Sequence, residues 1–314
     1  MIIDTQSHYI PRTALRLLED SRWGGVRPSG LPAALNTDHL LLDLETRLRE
    51  MDRLGVDVAV LSFAPVGPAP DTALDLELAR RANDGLIAAC AVHPSRFVAL
   101  ARLPLDQPDA AIAEARRVAD APEMRGVALL AEATRYKPDA LDLEDLWRLA
   151  AEKGWPLMLH PSAGVADLSP TFADFGLDSA LHTMVTSTIV LARLIFSGVL
   201  DRHPRLDIIA THLGGVAPFL AERFDSRGRG AREKFSHYLK QRIFMDNCGF
   251  TAGPALRCAL DVVGPARIVL GSDWPSRPIE DCLAPLAALS DADRRAIAGE
   301  TASRWFDPAQ AARP

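Results

Sequence analysis

The sequence predicts a (β/α)8 TIM barrel, and three observations carry the prediction. Short apolar runs recur eight times along the 314 residues, amphipathic helical patterns separate them, and polar residues able to bind a metal or move a proton stand where runs end. Near-continuous apolar strands alternating with helices argue for parallel β buried on both faces. Eight such units fit a closed barrel better than an open sheet.

The candidate strands are residues 2–4, 58–63, 97–103, 126–130, 156–160, 206–212, 242–246 and 267–271. Helical patterns occupy 43–54, 72–91, 108–119, 143–153, 189–201, 217–224 and 254–263, with 285–289 and 292–306 after the last strand. Two stretches break the alternation. Residues 12–42, with Gly24, Gly25, Pro28, Gly30 and Pro32, follow strand one, and residues 162–187 follow strand five. Both leave carboxyl ends of strands, the face where barrels build active sites, so both are expected to wall a pocket. No internal repeat or linker divides the chain, so residues 1–314 are expected to form a single barrel domain.

Composition narrows the function classes. Hydrophobic residues make up 48% and charged residues 24%, an ordinary globular balance. Lys and Arg total 35 against 41 Asp and Glu, and a net charge of -6 supplies no basic field for nucleic acid. Cys90, Cys248, Cys258 and Cys282 are too far apart for a disulfide framework and read as reduced thiols of a cytoplasmic protein. The first eleven residues show no export signal. The most apolar stretch, 188–200, is interrupted by Arg193 and falls short of the roughly 20 residues that span a bilayer, so a buried helix is expected and no membrane partner.

The barrel makes a test possible at its strand ends. Gln6 and His8 leave strand one at i and i+2, on one face; His160 ends strand five, His212 ends strand six, and Asp273 follows strand eight. An unpaired imidazole after an apolar strand is costly, so three of them converging with a carboxylate suggest a divalent cation or a proton-transfer site. His93 and His203 each precede a proline ahead of a strand and are expected to cap or pack. His39, His182 and His237 lie in loops or polar helix surfaces, where solvated roles are expected, although His182, within the second insertion, could reach the pocket. Asp4 has the parity of Gln6 and His8 but lies deeper, which suggests a buried structural role. Asp246 and Asn247, ending strand seven, could contact substrate or cap the next helix. Trp274 could stack on a planar substrate or pack under the rim.

The segments Ile3-Asp4-Thr5-Gln6-Ser7-His8, His160-Pro161, Thr211-His212-Leu213-Gly214-Gly215 and Gly271-Ser272-Asp273-Trp274-Pro275 resemble those of the amidohydrolase-related decarboxylases typified by aminocarboxymuconate-semialdehyde decarboxylase. Arg47 to Asp52, His93 to Phe97 and Ile189 to Pro204 extend the likeness over nearly the whole chain. The resemblance implies a distorted barrel of the metal-dependent hydrolase superfamily, with one divalent ion, Zn or Mn, held by Gln6, His8, His160 and Asp273. It also implies that His212 activates a metal-bound water, and that Arg223 reaches a neighbouring subunit's active site in a homodimer. As a surface residue, Arg223 beside Glu222 and Asp225 is equally well read as a solvated helix arginine.

One position departs from the family. Most relatives carry His where Gln6 stands, and some aromatic-acid decarboxylases carry Glu. A neutral amide binds zinc less well than imidazole and supplies less charge than glutamate, so weaker metal binding and a shift toward a harder ion such as manganese are expected; a metal-free acid–base site is the other possibility. The leading expectation is a lyase that decarboxylates a small unsaturated or aromatic carboxylic acid, with His212 and Asp273 catalytic and Arg223 and Trp274 contacting substrate. Hydrolysis of a lactone or amide, or double-bond hydration, fits the same scaffold. A binding protein weakened at Gln6 is the third reading.

Overall fold

Strands β1 (Ile3–Tyr9), β2 (Val58–Phe63), β3 (Phe97–Arg102), β4 (Met124–Leu130), β5 (Leu157–His160), β6 (Ile208–Ala210), β7 (Ile243–Asp246) and β8 (Ile268–Val269) form one eight-stranded sheet in sequence order. All seven strand pairings are parallel. The computed structural model describes residues 1–20, 22, 39–131, 134, 137–161, 172, 174–250 and 253–309. Gly24, Gly25, Pro28, Gly30 and Pro32 of the first insertion lie outside the described residues, as do 162–171 and 173 of the second.

β1 and the segment after β8 meet through backbone bonds: Thr5 donates to Leu270 at 2.9 Å, His8 to Trp274 at 2.8 Å and Asp273 to Gln6 at 2.9 Å. These bonds nearly close the barrel. β8 keeps only two of the five residues expected, because the chain after Leu270 turns toward β1 instead of continuing its ladder with β7.

Alternation along the strands sorts their side chains into two layers. Ile3, Val58, Val60, Val98, Leu100, Ala128, Met158, Ile209, Phe244 and Val269 form a cluster inside the barrel, joined by Ala302, Trp305 and Phe306 near the carboxyl terminus. Residues of the other parity, among them Ala59, Leu61, Val127, Leu129, Leu157 and Leu159, pack outward against the helices. The pattern is that of a filled barrel with a helical coat.

β1 breaks the alternation once. Its register with β2 shifts between Asp4 and Ser7. Ile3 faces the interior cluster, yet Gln6 and His8, three and five residues later, converge on the inward-pointing His160. A strict period of two cannot place all three on one side, and the extra residue of the irregularity does. Asp4 therefore does not share the face of Gln6 and His8. It points to the helical coat, where it pairs with Arg47.

Most helices match the expected patterns: Leu44–Leu54, Thr72–Val92, Pro108–Val118, Glu144–Lys153 and Pro254–Val263. Phe235–Gln241 is an additional helix; its Phe235, Tyr238 and Leu239 are buried at i, i+3 and i+4, a signal only two turns long. The apolar helix begins earlier than expected, running through Thr183–Phe196 after a π-turn at Asp178–His182. Asp178–Phe196 is long and apolar enough to cross a membrane by length and composition, with 56% buried within the protein. Part of the second insertion is thus a helix laid over the barrel mouth.

Candidate active site

His8 comes from inside β1, His160 from the last position of β5, and Asp273 from the turn after β8. Sequences 265 residues apart meet here: His8 Nε2 lies 2.8 Å from Asp273 Oδ1 and 3.2 Å from His160 Nε2, and His160 Nε2 lies 3.5 Å from the same carboxylate oxygen. Gln6 Nε2 donates to His160 Nε2 at 2.8 Å, leaving Gln6 Oε1 buried with no hydrogen-bond partner among the described residues. One ligand atom from each of His8, His160 and Asp273 lies within 4.8 Å of the others.

The ring tautomers are set from behind. His160 Nδ1 hydrogen-bonds the Pro161 carbonyl, which only accepts, so Nδ1 carries a proton and, when the ring binds as a neutral ligand, its Nε2 lone pair faces the cluster. His8 Nδ1 lies 2.9 Å from Ser62 Oγ, whose hydroxyl also reaches the Ser7 carbonyl at 3.3 Å. Ser62 can therefore accept from His8 Nδ1 while donating to Ser7, which frees His8 Nε2 as a ligand. This is the outer-shell arrangement that orients metal-binding histidines.

These residues fit a divalent cation. Two imidazole nitrogens and a carboxylate oxygen converge in a buried site, and the amide oxygen of Gln6 has no donor to satisfy it among the described residues. Asp273 stays well below the usual carboxylate range: burial opposes its ionisation, but the hydrogen bonds and charge of His160 and His8 outweigh that.

His212 sits on a turn that the sequence pattern does not reveal. β6 ends at Ala210, and His212 and Leu213 both adopt left-handed backbone, with φ of 54° each. Such a conformation costs about 1–3 kcal/mol at a non-glycine residue and needs a fixed frame. Asp246 provides part of it: Oδ1 accepts from the His212 amide at 2.8 Å and from the Cys248 amide at 3.1 Å. Gly215 provides another part, since a Cβ there would stand 2.2 Å from the Met184 carbonyl. The turn brings the His212 ring within 5.4 Å of that of His160, centroid to centroid. Burial lowers the His212 pKa to about 4, so the ring is neutral at physiological pH. Burial raises Asp246 to about 7.

A pocket of about 460 Å³ opens over this cluster. His160, His212 and Asp273 form its base; Ser179, Ala180, Thr183 and Met184 contribute from the second insertion; and Phe250, Ser276 and Arg277 complete the wall. Described residues of the second insertion therefore wall the pocket as expected, whereas none of the described residues of the first insertion, 12–20, 22 and 39–42, lines it. Arg277 is a cation that the sequence reading missed. Its signal was its place four residues after Asp273, on the same strand-end loop.

Other expected residues lie elsewhere. Trp274 is buried under the rim with the Arg47 guanidinium 5.2 Å from its ring centroid, and it is not among the pocket lining. Arg223 is exposed on the helix Ala221–Arg227, outside its own chain's pocket. Asn247 bonds the Cys282 carbonyl and the Gly271 amide; the following helix takes Gly253 as its N-cap, so neither Asp246 nor Asn247 caps it. His93 packs edge-on to Phe97, His203 pairs with Glu144 at 2.8 Å, and His39 caps a 3-10 turn, all structural roles.

The amidohydrolase family pattern matches residues 3–307. The chain belongs to the amidohydrolase family. Among its curated relatives, the gamma-resorcylate decarboxylase of Rhizobium sp. (strain MTP-10005) is 33% identical over 300 residues, covering 85% of this chain and 88% of that protein. The structure of 5-carboxyvanillate decarboxylase LigW from Sphingomonas paucimobilis superimposes with a TM-score of 0.85 at 25% identity, covering 97% and 98% of the two chains. The dihydroxybenzoic acid decarboxylase from Polaromonas sp. JS666, solved with bound manganese and the inhibitor 2-nitroresorcinol, matches with a TM-score of 0.83 at 25% identity over 97% and 96%. These similar proteins are decarboxylases of aromatic carboxylic acids, which agrees with the carboxy-lyase reading of this amidohydrolase's strand ends.

Proposed function

We propose that this amidohydrolase removes carbon dioxide from an aromatic carboxylic acid carrying a hydroxyl beside the carboxylate, with a divalent cation held by Gln6, His8, His160 and Asp273. The observation that carries the reading is the convergence of His8, His160 and Asp273 within 4.8 Å at the base of a pocket that His212 also lines. The bound manganese of the Polaromonas relative and the oxygen of Gln6 favour manganese over zinc. When bound, the cation supplies Lewis acidity that orients and polarises the substrate's oxygens.

The chain's own groups carry the proton. Neutral His212 is configured to accept before it donates: it takes the substrate's hydroxyl proton and returns it to the ring carbon that bears the carboxylate. The carbon–carbon bond then breaks, its electron pair returns to the ring, and carbon dioxide leaves. The resulting phenolate recovers a proton from solvent. Asp273 stays ionised and would serve as the anionic donor to the cation. Arg277 attracts the anionic substrate at the wall.

Release of carbon dioxide from 2,6-dihydroxybenzoate, 5-carboxyvanillate and salicylate, assayed with added manganese, is the direct test. Gas from at least one acid is expected, and none from any of them with manganese or zinc would overturn the reading. Arg277→Ala is expected to raise KM about tenfold, the equivalent of ~1.4 kcal/mol, with kcat little changed. Ser62→Ala should weaken manganese binding about 10–100-fold in a chelator competition, because His8 loses its orienting partner.

Three further features belong to the same proposal. The chain acts as one barrel domain in the cytoplasm, a setting supported by four free cysteines. It forms a homodimer, supported by exposed Phe219 and Arg223 on one stretch of chain and by exposed Leu181 and Ile189 on the apolar helix.

A further inference from the structure

The donor set at the base of the pocket is unusual in charge. Gln6 is fully buried, and its amide is neutral. The Pro161 carbonyl holds a proton of His160 on Nδ1, so a ring bound through Nε2 is a neutral donor, and His8 can be the same through Ser62. Asp273 is thus the single anionic donor for a divalent ion, which leaves the loaded site with one net positive charge. Two further carboxyls are buried nearby: Asp4 is paired with Arg47, and Asp246 spends Oδ1 on the amides of His212 and Cys248, its Oδ2 having no partner among the described residues. Arg277 on the pocket wall adds positive charge, and no ion-pair partner for it appears among the described residues.

We propose that Gln6 makes retention of the cation conditional on an anionic ligand. The orphaned Oε1 gives the ion a dipole but no countercharge, so the missing negative charge must come from the molecule entering the pocket. A phenolate or carboxylate there binds more tightly when the cation is present. By linkage, the cation is held more tightly by the same factor when the anion is present. A glutamate at this position would neutralise the site from within, and the coupling would shrink. A histidine would strengthen the ligand set but leave its charge unchanged, so the coupling would persist. The inference rests on the cation-assisted reading above and goes beyond it by assigning Gln6 a role in the order and mutual dependence of binding.

The test titrates manganese into the full chain and reads free Mn²⁺ by electron paramagnetic resonance, with and without saturating 2-nitroresorcinol. This probe has acidic phenols and no carboxylate to lose, so turnover does not intrude. In the wild-type chain the probe is expected to tighten manganese binding about tenfold or more, within the ~5–150-fold range of coupled sites. Gln6→Glu should bind manganese more tightly alone and show a coupling factor about tenfold smaller. Gln6→His should also bind more tightly alone and keep the wild-type factor. Titrating the probe with and without manganese must return the same factor in each variant. An equal factor in wild type and Gln6→Glu, or manganese binding with no coupling in wild type, overturns the inference while leaving the metal reading intact. No manganese binding in wild type or either variant removes both. Should Gln6→Glu fail to fold, the wild type and Gln6→His still decide: the inference is overturned if either binds manganese without coupling.

Discussion

His212→Asn is expected to lower kcat for decarboxylation by about 10²–10⁴-fold, the range for loss of a positioned acid–base group, while manganese affinity changes little. The expectation follows from position. His212 lines the pocket beside His160 but is not among the residues whose ligand atoms converge. Asparagine still offers a backbone amide to Asp246 and tolerates left-handed backbone better than most residues, so the turn is retained. Carbon dioxide release and Mn²⁺ titration together separate loss of proton transfer from loss of the metal. The pH profile adds a second check. With a pKa near 4, the imidazole is already neutral at pH 5, so its contribution to the acid limb of kcat/KM belongs near pH 4 and not near 6.5. Stability has the matching sign: the unfolded histidine binds a proton between pH 6.5 and about 4 while the folded one does not. Acidification through that window therefore favours unfolding, and His212→Asn should be less acid-sensitive there.

Asp4→Ala is expected to destabilise the fold by about 3–5 kcal/mol, the usual result of stripping one partner from a buried ion pair. Arg47 would keep a guanidinium that is 1% exposed, without its carboxylate. Ser272 would lose two acceptors at once, since its amide and hydroxyl reach Asp4 at 2.9 and 2.5 Å. These contacts tie β1, the helix Leu44–Leu54 and the turn before Asp273 into one unit, so the metal-binding loop should loosen as well. Urea titration reads the loss as a lower midpoint. Asp4→Leu combined with Arg47→Met should recover much of it, because two apolar groups leave no orphaned charge. An unchanged midpoint for Asp4→Ala would show that the pair is not a fastener.

The architecture was legible because its signal is repeated. Each strand is an apolar run and each helix an amphipathic one, so an error at one boundary did not disturb the count of eight. His160 and Asp273 were legible for the same reason, as polar residues at the ends of apolar runs. What escaped depends on geometry that alternation does not encode. The irregularity in β1 turns Asp4 outward while Gln6 and His8 turn inward, and no residue type between them announces it. The left-handed turn at His212 needs Asp246 from another strand, a partnership visible only in three dimensions. Gly271 likewise shows its purpose only in space, where a Cβ would stand 2.8 Å from that of Asp246. Arg277 escaped because an exposed arginine on a loop has the same sequence signature whether it faces a pocket or solvent.

An anomalous-difference map at the manganese edge, from crystals of the manganese-loaded protein, is the most direct test of how the strand ends act together. The account predicts one ion in contact with His8 Nε2, His160 Nε2, an oxygen of Asp273 and Gln6 Oε1, at roughly 2.0–2.3 Å. An ion bound elsewhere, or His8, His160 and Asp273 left paired with one another in saturating manganese, would contradict it.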